Sequence, residues 1–166
     1  MARPLLVLLT AVGLLDWAAR PAAAQTLELQ AYGARTGVSL DDDLTQLLLG
    51  GHADLGRLAE NVRLQPFVTV GLGDNALSFL LAGEVHYLFP VDAARTRLLP
   101  YAGAGLGFSH VNLDEEDADD SSEAVLLLAG GIDVPASTWW HYFAEARMAI
   151  ADESVFRIEG GITWEY

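Results

Sequence analysis

Four histidines, His52, His86, His110 and His141, are the side chains of this 166-residue chain best suited to moving protons or ligating a metal. None sits in a pattern that carries a recognised chemistry. HExxH, paired CxxC and G-x-S-x-G are all absent, so metalloprotease, zinc-ribbon and α/β-hydrolase readings lack their residues. Ser109 and His110 are adjacent, but successive residues of a strand face opposite sides, which holds this serine away from this base. The run Asp114-Glu-Glu-Asp-Ala-Asp-Asp120 offers oxygen ligands to hard cations. It has neither the turn glycine nor the spacing of an EF-hand loop, so it reads as a solvated loop that binds divalent cations weakly and diffusely. The sequence therefore predicts no catalytic residue, no cofactor and no defined metal site, and a protein that is not an enzyme.

The remaining charged residues recur at alternate positions. Glu84 with His86, Glu145 with Arg147, and Arg157 with Glu159 are each two residues apart, the spacing that puts both members of a pair on one face of a strand. Glu28, His52, Asp54, Arg63, His141 and Glu165 fall on the same polar face by this count. Charges shut away from bulk water need partners, so these residues are expected to neutralise one another as a network.

The elements that would position them alternate with period two. Phe156, Ile158, Gly160, Ile162, Trp164 and Tyr166 form a greasy, aromatic face opposite Arg157, Glu159 and Glu165. Trp140, Tyr142, Ala144, Ala146, Met148 and Ile150 repeat the arrangement opposite His141, Phe143, Glu145 and Arg147. The first strand alternates less cleanly, with Leu27, Leu29 and Ala31 opposite Glu28, Gln30 and Tyr32. Eight strands are predicted, at about 26–38, 44–58, 62–73, 76–89, 98–113, 122–134, 138–151 and 154–166. All reach the roughly 9 to 11 residues that a tilted membrane-spanning strand needs, beyond the 5 or 6 usual in soluble proteins. Eight is also an even number, as a single-chain barrel requires.

Residues 1–24 read as a secretory signal, with Arg3 ahead of the apolar run Leu5 to Leu15 and a small-residue cleavage site at Ala22-Ala23-Ala24. That run is too short for a spanning helix, and no later stretch holds 18 apolar residues. Residues 25–166 would form one domain. Removing Arg3, Arg20 and Asp16 leaves it 7 basic and 22 acidic residues, every basic one an arginine. Such acidity excludes nucleic acid, whose phosphates would be repelled. It suits solubility, salt adaptation or a cation-attracting exterior. The chain has no cysteine, so an exported fold must close without disulfides, which a sealed barrel does by pairing every strand.

Tyr101-Ala-Gly-Ala-Gly-Leu-Gly-Phe108 and the closing Gly160-Gly-Ile-Thr-Trp-Glu-Tyr166 resemble the small outer-membrane β-barrel family that includes OmpA-like and OmpX-like proteins. The resemblance implies an all-β, eight-stranded, antiparallel up-and-down transmembrane β-barrel in a bacterial outer membrane. It implies outer-membrane lipid and the barrel-assembly machinery as partners, a monomeric state, and Trp164 and Tyr166 as the assembly signal. The family's usual last residue is phenylalanine, whereas this chain ends in Tyr166. The termini would lie in the periplasm, with short turns there and longer connections outside. Thirteen of the 22 acids, including Asp41-Asp42-Asp43, Asp74, Asp114 to Asp120 and Asp152-Glu153, then fall at the external end. Arg57, Arg63, Arg95 and Arg97 flank the periplasmic turns.

Eight strands enclose a lumen just wide enough for side chains to fill, so the network Glu84, His86, Glu145, Arg147, Arg157 and Glu159 is expected to plug it, with lumen-facing glycines making room. A structural or surface-interaction role follows from a sealed barrel with acidic loops. The alternatives are a narrow porin or carrier of small apolar molecules, a lipid-modifying barrel enzyme, and a soluble lipocalin-like barrel, whose apolar face would point inward.

Overall fold

The computed structural model describes residues 27–40, 45–73, 76–91, 97–113, 121–152 and 154–166. The signal and its cleavage site, Asp41 to Asp43, Asp74, Arg95, Asp114 to Asp120 and Glu153 lie outside the described residues. Nine strands follow in order: β1 Ala31–Leu40, β2 Gln46–Asp54, β3 Arg57–Ala59, β4 Val62–Gly73, β5 Ala76–Leu88, β6 Leu99–Leu113, β7 Ser121–Pro135, β8 Trp140–Ile150 and β9 Ser154–Glu165. Each long strand pairs antiparallel with its sequence neighbour; β4 takes up β2 across the short β3, and β9 returns to β1. Eight strands thus close on themselves. Closure leaves no long edge to be protected.

Period two governs every wall, and β5 shows it most clearly: Ala76, Ser78, Leu80, Ala82, Glu84 and His86 are buried, while Leu77, Phe79, Leu81, Val85 and Tyr87 are exposed. The predicted second strand, 44–58, is broken in the structure. Gly56 has φ of 89°, open to glycine but not to ordinary L residues, and its N–H donates to Asp54 Oδ1 at 2.8 Å. The chain turns there, and β3 doubles back against β4 as a short tag at the mouth of the barrel.

Two expectations fail. Glu28 is exposed ahead of β1, and the inward residues of that strand are Ala31, Arg35 and Ser39, so Tyr32 faces outward. Register with β2 and β9, not the local run of letters, decides this face. Connection length does not separate the two ends either, since β5 and β6 are joined by ten residues at the end carrying the termini, against seven between β6 and β7 at the other.

Large apolar side chains encircle the outside, among them Leu49, Leu81, Leu106 at 71% exposure, Leu128, Met148 and Ile158. Aromatic rings gather where the termini lie: Tyr32 with Trp164 and Tyr166 at 5.9 and 5.6 Å, Tyr87 with Phe89 at 5.2 Å, and Trp140 with Tyr142 at 4.6 Å. At the far end Leu40, Leu47, Leu77, Phe79, Phe108 and Phe156 take the outward positions, with no tryptophan or tyrosine among them.

Candidate functional site: the lumen

Arg147, fully buried on β8, organises the centre of the lumen. Its Nε and Nη2 donate to the two oxygens of Glu84 at 2.8 and 3.0 Å, and its Nη1 donates to Glu159 Oε1 at 2.7 Å. Nη2 also meets Glu145 Oε1. A planar fork with five donors suits this task, which the single ammonium of a lysine would not perform. The guanidinium lies 4.1 Å from the ring centre of Phe67, a face that attracts cations.

A second cation reaches the same carboxylates. Arg35 of β1 stands 3.4 Å from Glu159 and 3.6 Å from Glu145, 4.4 Å above Phe67, with none of its three nitrogens in a hydrogen bond. Periodicity alone does not single out Arg35, because the parity of β1 is set by its neighbours.

From the centre a chain of contacts descends to the mouth where the termini lie. His86 Nε2 is 2.9 Å from Glu84 Oε2, while Nδ1 is 3.3 Å from Arg63 Nε and Nη2. An arginine can only donate, so Nδ1 accepts and the ring proton sits on Nε2, where it faces the carboxylate. The His86 ring stacks on Tyr101 at 4.8 Å, and the Tyr101 hydroxyl donates to Glu145 Oε2 at 2.9 Å. Arg63 Nη1 then donates to Asp133 Oδ2 at 2.8 Å. There a recess of about 690 Å³ opens, with Asp133, His141 and Glu165 on its wall and Leu29, Leu88 and Phe89 beside them. Tyr101 and Asp133 are lumen residues that the sequence reading omits, the first hidden in a run of glycine and apolar residues, the second in a strand that alternates poorly.

Toward the other end the lumen turns apolar on one wall, where Phe67, Leu80, Ala82, Val125, Leu127 and Ala149 pack as one cluster. Glycine makes the crowding possible. A Cβ on Gly103 would collide with the His86 ring, and one on Gly105 would lie 2.6 Å from Glu84 Cγ.

Glu84, His86, Glu145, Arg147 and Glu159 therefore meet in one cluster, whereas Arg157 shares their face of β9 without touching it. Four buried arginines, Arg35, Arg63, Arg147 and Arg157, stand against four buried carboxylates, Glu84, Asp133, Glu145 and Glu159, so the described interior balances although the chain as a whole is strongly acidic. Glu84, His86 and Glu145 could present ligand atoms within 4.8 Å of one another. Arg147 already holds both carboxylates, so a cation would have to displace it.

His110 and Ser122 add a contact that adjacency arguments overlook. They pair across β6 and β7, and His110 Nδ1 lies 2.8 Å from Ser122 Oγ on an exposed surface, while Ser109 points inward. Among the described residues no carboxylate orients this histidine, the third role that an activated serine needs. Trp164 and Tyr166 stand outside the lumen, at the end carrying the termini, in contact with Tyr32.

No family model matches the chain, and no curated protein matches it. Solved structures do. The N-terminal β-barrel domain of Pseudomonas aeruginosa OprF aligns with a TM-score of 0.66 at 14% identity, covering 83% of this chain and 98% of that one. Neisserial surface protein A aligns with a TM-score of 0.66 at 12% identity, covering 82% and 95%. Ail, the attachment invasion locus protein of Yersinia pestis, aligns with a TM-score of 0.50 at 11% identity, covering 84% and 99%. The fold is the closed eight-stranded antiparallel barrel of small outer-membrane proteins.

Proposed function

We propose, from a fold shared with small outer-membrane barrels, that this chain is an integral outer-membrane protein: a sealed, monomeric anchor that presents acidic loops outward in a structural or surface-interaction role. One observation carries the reading. Charged side chains fill the inside while Leu106, Leu128, Tyr142 and Ile158 are exposed outside, the reverse of a water-soluble protein and of a lipocalin-like barrel. An apolar outer band of this kind suits lipid. With the termini in the periplasm, the aromatic belt meets that interface, where such rings settle, and the acidic connections face outward. The loops would draw in divalent cations diffusely, and Trp164 with Tyr166 would be read by the assembly machinery.

The test is fractionation and refolding. The protein should sediment with outer membranes and refold only with detergent or lipid. Recovery of folded, monodisperse protein from the periplasm without detergent would overturn the reading.

A second reading, a carrier of small apolar molecules, draws support from the recess at the mouth, whose volume lies in the range of ligand pockets and whose lining includes Leu88, Phe89, Val91 and Leu99. The charged cluster and the apolar wall beyond it argue against passage through the barrel.

A further inference from the structure

The half of the lumen away from the termini carries a row of donors, two of which, Arg157 Nε and Gln46 Nε2, meet no acceptor among the described residues. Arg157 of β9, Ser39 of β1 and Gln46 of β2 are successive neighbours, Ser39 standing opposite Arg157 on one side and opposite Gln46 on the other. All three are buried, at 5%, 2% and 4% exposure. Ser78 Oγ donates to Gln46 Oε1 at 2.6 Å, and Gln46 Nε2 is without a partner among the described residues. Arg157 Nε is unpartnered as well, and among the described residues the guanidinium forms no ion pair.

Charge sharpens the case. Directly across β8 and β9 from Arg157 lies Arg147, a like charge. Arg147 and Arg35 already engage Glu145 and Glu159, and Arg147 also engages Glu84, so Arg157, although the charge of Glu159 acts on it, is the buried arginine that makes no ion pair among the described residues. A buried guanidinium with no counter-charge in direct contact is costly, and two set opposite one another repel. Donors stand side by side on three neighbouring strands here, and no side-chain acceptor among the described residues meets Arg157 Nε or Gln46 Nε2.

We propose that Arg157, Gln46 Nε2 and the Ser39 hydroxyl form a binding site for a small inorganic anion in the outer half of the lumen. The anion would neutralise Arg157, relieve its repulsion with Arg147 and use the donor that Ser78 leaves free on Gln46. The site is separate from the recess at the opposite mouth, so it stands even if the anchoring role fails.

Urea unfolding of the refolded barrel, with chloride replaced by gluconate at constant ionic strength, tests this. Gluconate is too bulky for a site between side chains. Chloride should stabilise the barrel saturably, raising the folded-to-unfolded ratio about elevenfold at ten times the half-saturating concentration. Arg157→Gln should abolish the dependence. Should that variant not refold, Gln46→Leu keeps Arg157 and should raise the half-saturating concentration several-fold. Bromide soaked into crystals should give anomalous density beside Arg157. Equal stability in the two salts, a chloride effect unchanged in both variants, or a carboxylate of the chain itself seated on Arg157 would overturn the proposal.

Discussion

At the scale of single residues, Arg147 is the one whose loss should be felt most. Removing it leaves Glu84, Glu145 and Glu159 buried around a missing cation, and breaking a buried pair from one side costs about 3–5 kcal/mol. Arg147→Leu should therefore lower unfolding free energy in lipid or detergent by at least that much, with Arg57→Leu, exposed at the mouth, as a nearly silent control. A smaller loss would mean that Arg35 takes over its contacts. Gly103 offers a second check, because a side chain there must displace the His86 ring. Gly103→Val should destabilise by about 1–3 kcal/mol, the usual cost of overpacking. Part of this network is readable from spacing, since Glu145 with Arg147 and Arg157 with Glu159 show the alternation plainly. Arg35 is not, because its face depends on register with β2 and β9, which local sequence does not contain. The partnership of His110 with Ser122 is hidden for the same reason: it joins two strands across a connection of undetermined register.

At the scale of elements, β9 combines alternating side chains with an aromatic end. Replacing Trp164 and Tyr166 together by alanine should slow or abolish membrane insertion in cells that carry the assembly machinery while leaving loop-dependent binding of the inserted fraction unchanged. Normal insertion would separate this strand from any signalling role. The predicted strand boundaries fall within a few residues of the observed ones wherever side chains alternate strongly, as in β5 and β8. They miss the break after Asp54, because Leu55 and Leu58 continue a plausible run and only the backbone at Gly56 reveals the turn. Gly56→Ala should accordingly cost about 1–2 kcal/mol, the penalty of a left-handed conformation with a Cβ.

At the scale of the whole molecule, the lumen holds a charged cluster at its centre and an apolar cluster on one wall beyond it, and the proposed plug rests on the two together. Planar-bilayer recordings should show little steady conductance. Glu84→Gln, or Leu80→Ala with Leu127→Ala, leaves the other obstruction in place and the barrel should stay shut; combining the three changes should raise the frequency of brief openings. A large ohmic current in the unaltered protein would remove the idea of a plug. Calcium titration should give a shallow response that moderate salt abolishes, since exposed carboxylates are screened within about 8–10 Å.

The seam between β1 and β9 sets a clock. Every pairing along it joins residues between 116 and 134 positions apart, from Leu40 with Phe156 to Ala31 with Glu165. Contacts so remote in sequence form slowly, because the intervening chain must first be gathered. The ring therefore cannot close before β9 has been made: the edge of β1 waits unsatisfied while the residues up to Glu165 are added. During that interval it is a template for the wrong partner, so a longer wait before closure should favour aggregation.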